Sequence, residues 1–374
     1  MNRFIQERVK ADLGRKMVFI TGPRQVGKTC MAKNIAALYK SPQYLNYDNL
    51  QDQRIIHEQS WSLKADLLVL DEIHKMKDWK KFLKGVYDGR QEQQAILVTG
   101  SARLDTFRQS GESLAGRYFH YRLHPFSVKE LAGILRPEEA LERLIRLGGF
   151  PEPFLSGSEV EAERWRRQYY TDLIREDILE FGRLHEIRVM RFLLEMLRER
   201  VGSPLSYASL AGDLKAAPNT IRRYIEILES LYIVFMVYPF HRNIARAIQK
   251  EPKLYFYDTG LVATDATRLE NAVAVCLKKH VDFLSDTGGI ETELCYLRTK
   301  EKKEIDFVLA ENNKPRTLIE VKTTESTPAP VLSYFQKRID GVQAIQLVQH
   351  LRQPQNAAGI QVVGAAEWLS ELSA

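Results

Sequence analysis

The sequence predicts an α/β fold: a parallel sheet, then a helical and winged-helix region, then a second, smaller α/β domain. Three observations predict it. Residues 1–127 alternate short apolar runs with helical patterns, as βα units do. A glycine-rich loop separates the first apolar run from the helical pattern after it. Past residue 300, two further strand patterns follow one another, each with acidic residues set among apolar ones.

The first run, Met17-Val-Phe-Ile-Thr21, is short and rich in β-formers. Gly22-Pro23-Arg24-Gln25-Val26-Gly27-Lys28-Thr29 follows and satisfies G-x-x-x-x-G-K-[ST]. Cys30 to Tyr39 then reads as a helix. Strand, glycine loop and helix are the context in which this pattern is a phosphate loop, so the sheet is predicted to be that of a P-loop NTPase. Loop N–H groups and the helix N-terminus form an anion site. Gly22 through Thr29 therefore line a nucleotide, with Lys28 reaching the β- and γ-phosphates of ATP and Thr29 on Mg2+. Arg24 is a solvent-facing or phosphate-screening residue.

Asp66-Leu-Leu-Val-Leu70 reads as a buried parallel strand ending in Asp71-Glu72. Ligands of open α/β sheets sit at the C-terminal strand ends. Asp71 is thus placed to coordinate Mg2+ through water, and Glu72 to polarise the attacking water; the alternative is a solvated acidic turn. Ala95 to Thr99 is another strand, followed by Gly100-Ser101. Ser101 or Thr99 is a candidate contact to the γ-phosphate or lytic water, with an ordinary strand-to-loop turn as the alternative. Arg117 ends a helical pattern before the alternating strand Tyr118–Leu123, where a basic residue also complements the helix dipole.

The whole chain sets limits. Its 374 residues allow two or three domains, and 44% hydrophobic with 27% charged residues fits a soluble globular protein. A net charge of +6 permits nucleic-acid binding without arguing for it. Cys30, Cys276 and Cys295 lack zinc spacing, suit a reducing cytoplasm and are expected to pack as small apolar groups. No apolar run reaches about 18 residues and no secretory signal opens the chain, so no membrane span is expected.

From residue 128 to 200 the pattern is helical, with Ser127 as a helix cap and Glu130 three residues on. The basic run Arg164, Arg166, Arg167 reads as a solvated helix face, with nucleic-acid contact as the alternative. Residues 201–255 resemble a winged helix. Ser206 caps a first helix, and a second starts at Thr220 with Ile221, Tyr224, Ile225, Leu228 and Leu231 on one face. Arg222 and Arg223 lie off that stripe, where helix-turn-helix proteins reach a major groove. Ile233–Phe240 forms the wing, and Arg242, Arg246, Lys250 and Lys253 extend a phosphate-binding face. Packing or protein contact alone is the other reading of this region.

Further on, Glu304-Ile-Asp306-Phe-Val-Leu-Ala310 alternates as a half-buried strand does, a charged loop with Pro315 follows, and Thr317-Leu-Ile-Glu320-Val-Lys322 is the next strand. Glu320 and Lys322 share a face, and Asp306 joins them if the strands pair. Glu270, on a helical pattern, is a third carboxylate. Carboxylates holding Mg2+ beside a lysine are what metal-assisted phosphodiester cleavage needs. The set resembles the PD-(D/E)xK nuclease superfamily, read as Glu270, Asp306, Glu320 and Lys322, with Ile305 where the proline stands. Glu-x-Lys on an exposed strand is also a common solvated pair.

Both ends together resemble one family, the prokaryotic AAA-type ATPases with a C-terminal domain of unknown function and restriction-endonuclease-like fold. The resemblance rests on residues 20–29, Leu70-Asp-Glu72, Thr99-Gly-Ser101, Leu114-Ala-Gly-Arg117, Gly149-Phe-Pro-Glu152, Tyr257-Asp-Thr-Gly-Leu261, Glu304-Ile-Asp-Phe307 and Ile319-Glu-Val-Lys322. Tyr257–Leu261 carries no chemistry legible in its sequence. Arg103 departs from the family's small residue. The resemblance implies ATP binding and hydrolysis, a homo-oligomer in which Arg117 serves a neighbour's site as an arginine finger, and action on DNA. It divides the chain into an AAA-type P-loop ATPase domain (1–127), a helical lid or linker (128–200), a winged helix (201–255) and a PD-(D/E)xK nuclease-like domain (256–374). The leading expectation is a cytoplasmic ATP-driven enzyme acting on DNA with a Mg2+-dependent nuclease site. A nucleotide-dependent DNA- or protein-binding switch with an inactive nuclease-like domain is the alternative, and a small-molecule kinase is a third.

Overall fold

A computed structural model describes residues 3–91, 93–100, 114–179, 184–240 and 250–374. The chain divides into two compact units, Met1–His124 with Ser230–Tyr232, and Pro125–Glu229 with Ile233–Ala374.

The first unit is built on five parallel strands, β1 (Met17–Thr21), β2 (Pro42–Asn46), β3 (Leu67–Asp71), β4 (Ala95–Thr99) and β5 (Tyr118–Arg122), in the order β2-β3-β4-β1-β5. The three inner strands are buried at every position, as a parallel sheet covered on both faces requires. The outer strands β2 and β5 are half-exposed, and Pro42 opens the edge strand, where its missing N–H costs nothing. Helices α1 (Gln6–Leu13), α2 (Lys28–Ala36), α3 (Leu50–Glu58) and α4 (Trp79–Asp88) join them. Trp79, Leu83 and Val86 of α4 enter the same core as Met17, Phe19, Leu68 and Val98. Helix α2 starts two residues before the predicted Cys30–Tyr39, directly at the loop's Lys28, and ends three residues short of Tyr39, at Ala36. Cys30 on it is exposed, so only Cys276 and Cys295 pack as buried apolar groups.

The second unit begins with α5 (Val128–Leu131), α6 (Pro137–Leu147), α7 (Pro151–Ser156), α8 (Glu159–Leu179) and α9 (Leu184–Arg198). The Ser127 hydroxyl caps α5 by accepting from the Glu130 N–H. The Glu130 carboxylate is buried 2.6 Å from Lys279 Nζ. Then come α10 (Tyr207–Asp213), capped by Ser206, and α11 (Pro218–Ser230), which buries Ile221, Tyr224, Ile225 and Leu228.

The run expected as the wing, Ile233–Phe240, supplies a strand of a larger sheet. Strands β6 (Val234–Pro239) and β7 (Lys253–Phe256) pair with each other, and β6 continues alongside β8 (Thr292–Arg298). They thereby join an eight-stranded mixed sheet with β9 (Glu304–Glu311), β10 (Lys314–Lys322), β11 (Gln343–Val348), β12 (Gln355–Ala357) and β13 (Ile360–Gly364), ordered β12-β13-β11-β10-β9-β8-β6-β7. Backbone pairing of Tyr238 and Pro239 with Cys295 and Tyr296 crosses the expected boundary at 255, within the compact unit Pro125–Glu229 with Ile233–Ala374. A long helix, α12 (Asp265–Gly288), covers the sheet, with α13 (Pro330–Gln336) and α14 (Ala365–Ser370) beyond it. The loop expected around Pro315 is a tight turn at Asn312 and Asn313, both at positive φ, and Pro315 lies within β10 beside a register shift. Among the described residues no helix is long and apolar enough to cross a membrane.

Candidate nucleotide site and carboxylate cluster

The loop leaves the C-terminal end of β1 and enters α2 at Lys28. Gly22 has φ of +145°, and a Cβ there would strike the carbonyl oxygen of Leu123, so only glycine fits. Helix α2 has Gly27 as its N-cap, no side-chain cap and no acidic residue in its first turn. Its first N–H groups thus remain available to an anion. Lys28 Nζ donates to the carbonyls of Gly22 (3.0 Å) and Pro23 (2.7 Å). Burial lowers its pKa to about 8, against the pull of Glu72 and Asp71. The ammonium is therefore held over the loop where a phosphate would meet it.

Strand order explains the rest of the site. β4 lies between β1 and β3, with Thr99 in register with both Ile20 and Asp71. The Asp71 carboxylate is buried and crowded with donors. Oδ2 accepts the Thr29 hydroxyl at 2.8 Å and the Tyr44 hydroxyl at 2.5 Å. Oδ1 accepts the Thr99 hydroxyl and the Glu72 N–H. Glu72 sits in the left-handed region at φ of +55°, ending the strand. Its carboxylate stands 3.6 Å from His74 Nε2 and 3.8 Å from Lys75 Nζ. Burial raises the Glu72 pKa, opposed chiefly by Lys28. The residues present fit Mg2+ and ATP: an open helix end, a cradle that a Cβ would fill, a lysine, and a hydroxyl–carboxylate pair. Bound there, the metal would neutralise developing charge on the phosphates, while Thr29 and Asp71 hold it and Glu72 draws a proton from water.

A second group of titrating side chains lies in the other unit. Strands β9 and β10 pair antiparallel, with Ile319 facing Phe307 in register, so Asp306 comes beside Glu320. Asp306 Oδ2 accepts the Val321 N–H at 2.9 Å. Lys322 Nζ stands 3.0 Å from Glu320 Oε1, and Glu320 Oε2 is buried with no hydrogen-bond partner. Tyr255 donates to Glu270 Oε1 at 2.7 Å. Burial, then the Asp306 charge, pushes Glu270 and Glu320 each up to about 7, and burial raises Asp306.

The expected metal set does not close, however. Among the described residues no three acidic, His or Cys side chains are arranged to hold a metal ion. Lys253 stands among these carboxylates. Its ammonium lies 2.8 Å from Glu304 Oε1, 3.7 Å from Glu270 Oε1 and 3.8 Å from Asp306 Oδ1. Burial alone would lower its pKa, yet Glu270, Asp306 and Glu304 together hold it above the ordinary lysine value. Lys253 is also 1% exposed, which corrects its expected place on a phosphate-binding face.

Residues 14–132 match the family profile described as "AAA domain". An AAA-type ATPase-like domain therefore occupies the N-terminal third. Residues 138–271 and 267–368 match "Domain of unknown function (DUF8612)" and "Domain of unknown function (DUF4143)". The chain is 28% identical over 324 residues to an uncharacterised protein of Mycobacterium tuberculosis, covering 84% of this chain and 71% of that one. It is 24% identical over 360 residues to an uncharacterised protein of Methanocaldococcus jannaschii, covering 87% and 79%. Among solved structures, a point variant of Thermotoga maritima RuvB aligns with a TM-score of 0.31 and 17% identity, over 62% of this chain and 86% of that one.

The structure brings Gly22 to Thr29, Asp71, Glu72 and Thr99 together in the AAA-type domain. Ser101, Arg103, Arg242 and Arg246 lie outside the described residues. Arg117 pairs with Asp88 of the same chain, Nε to Oδ1 at 2.8 Å. Arg166 does not belong to a solvated face: it is buried and pairs with Asp258. Sequence reasoning missed Arg3 and Tyr44 and misplaced Lys253. Arg3 donates to the carbonyls of Val26 (2.7 Å) and His124, fastening the phosphate loop from outside it. No local motif marks these three, because each works through a partner at least 17 positions away.

Proposed function

We propose that the chain is an ATP-hydrolysing switch that acts on DNA as a homo-oligomer, with a C-terminal unit that binds rather than cuts. The observation that carries the ATPase reading is the Asp71 carboxylate, which ties the Thr29 hydroxyl of the loop to Thr99 of β4. Glu72 next to it supplies the base that hydrolysis needs. The DNA reading is supported by exposed Arg222 and Arg223 near the start of α11, with the Arg222 guanidinium 5.1 Å over the Tyr207 ring. An arginine-finger role in that homo-oligomer requires Arg117 to exchange Asp88 for a neighbour's nucleotide.

Phosphate release with ATP and Mg2+ tests the reading. Lys28→Ala is expected to lose nucleotide binding, and Glu72→Gln to keep it while turnover falls about 100-fold or more. Replacing Arg222 and Arg223 by Ala is expected to weaken duplex binding and flatten its salt slope by about 2. Duplex left unbound by wild type would remove the DNA part and leave the ATPase part standing.

One observation favours a second reading, metal-assisted phosphodiester cleavage at Glu270, Asp306, Glu320 and Lys322: the buried Glu320 Oε2 accepts no hydrogen bond. DNA cut by wild type and spared by Glu320→Ala would establish it.

A further inference from the structure

We propose that Lys253 is a built-in cation of the carboxylate cluster: its ammonium takes the place of a divalent metal, and removing it uncovers a site for an oxygen-binding divalent ion. The cluster holds four carboxylates, Glu270, Glu304, Asp306 and Glu320, and two ammonium groups, Lys253 and Lys322. Lys322 is committed to Glu320 at 3.0 Å. Lys253 is the cation common to the other three, from 2.8 to 3.8 Å, with its side chain 1% exposed, while Arg298 Nη1 reaches the far oxygen of Glu304 at 3.2 Å. Tyr296 closes the space beneath it, its ring centroid 5.4 Å from the ammonium. The Tyr255 hydroxyl caps the Glu270 oxygen that faces Lys253.

Mg2+ and Mn2+ demand oxygens at about 2.1 Å, Ca2+ at about 2.4 Å. An ammonium among those oxygens fills the volume with its own N–H groups. A metal entering beside it would set a double positive charge against a buried ammonium and draw away the carboxylates that neutralise it. Glu320 Oε2 is buried without a hydrogen-bond partner, a carboxylate oxygen of the cluster still open to a cation. With Lys253 gone, Glu270, Glu304 and Asp306 lose their common partner, and a divalent ion is the cation that would restore neutrality.

The inference concerns the C-terminal unit alone and stands or falls apart from ATP hydrolysis. Its test is Mn2+ titration of the full chain without nucleotide, read by the electron paramagnetic resonance of free Mn2+, on an Asp71→Asn background that removes the loop carboxylate. The Asp71→Asn protein is expected to bind no Mn2+ below about 1 mM, the weak end of all-oxygen sites. Adding Lys253→Met is expected to create one site at least about tenfold tighter than that bound. Lys253→Arg in the same background keeps the charge and is expected to bind none. If Lys253→Met does not fold, Lys253→Gln, which retains a donor toward Glu304, gives the same readout. Mn2+ bound by the Asp71→Asn protein and lost on Asp306→Asn would overturn the proposal. So would a folded Lys253→Met protein that binds no ion.

Discussion

Arg166 Nε stands 2.9 Å from Asp258 Oδ2, and both side chains are buried. Arg166 also donates to the Leu147 carbonyl, and Asp258 Oδ1 caps the short turn at Thr259–Leu261 by accepting from Gly260 N–H. Glycines flank the pair. A Cβ on Gly148, at φ of +80°, would meet the Asp258 carboxylate, and one on Gly260 would meet the Arg166 guanidinium. This gives a physical reason for two stretches whose sequences declare no chemistry, Gly148-Gly149-Phe150 and Tyr257–Leu261. Arg166 keeps a pKa above the ordinary arginine value, because Asp258 outweighs the burial that would lower it.

Breaking a buried pair strands the surviving charge. Asp258→Ala is expected to destabilise the chain by about 3–5 kcal/mol, measured by urea denaturation. Gly260→Ala, which removes no charge, is expected to destabilise as well, through the guanidinium it displaces. An Asp258→Ala protein as stable as wild type would show that the pair contributes nothing.

Arg3 predicts a different kind of effect. It anchors Val26, whose own side chain is fully buried, and so fixes the phosphate loop at its midpoint. Arg3→Ala leaves that buried carbonyl unserved, a cost of about 1–3 kcal/mol. Part of it falls on the loop, so nucleotide affinity is expected to drop about tenfold. Titration with a fluorescent ATP analogue checks this, and unchanged affinity would show that the loop holds its shape without Arg3.

Tyr44 stands behind Asp71, its ring 5.3 Å from Lys33 Nζ. Burial and the Asp71 hydrogen bond raise its pKa, so it remains a donor across the physiological range. A donor that orients a metal-holding carboxylate is worth about 10–100-fold in metal affinity. Tyr44→Phe is expected to raise the Mg2+ concentration for half-maximal ATP turnover about tenfold, with turnover at saturating Mg2+ within about twofold of wild type. An equal loss at saturating Mg2+ would show that Tyr44 acts on the chemistry instead.

The AAA-type sheet was legible because its inner strands are unbroken apolar runs and its loop pattern is long and specific. Asp71 and Glu72 follow from the same logic, since a strand end in an open sheet has one place to point. Legibility fails where a residue acts through distant partners. Lys253 reads as one more basic residue after the helix-turn-helix pattern, yet it meets Glu304 and Asp306 more than 50 positions away. The wing reads from one β-rich run, Ile233–Phe240, most of which is β6; its pairing with β7 and the two residues that join it to β8 leave no mark in the sequence. Arg166 sits in a basic run, and only the fold turns it inward.

Glu229 ends α11, and burial pushes its pKa up to about 7, with the Met236 backbone hydrogen bond and Lys278 opposing and Glu226 adding to it. The folded state thus holds this proton more tightly than the unfolded chain, whose glutamate titrates near 4.5. The favourable contribution is fully present below about pH 4.5 and is lost as pH rises through about 7, where the folded chain must carry a buried charge. Glu229→Gln removes that charge and keeps the shape. It is expected to leave stability near pH 4.5 almost unchanged and to raise it at pH 8 by about 1–3 kcal/mol. Urea denaturation of both proteins at the two pH values measures the difference. A gain of the same size at pH 4.5 and pH 8 would mean that the carboxyl's shape, not its proton, sets the cost.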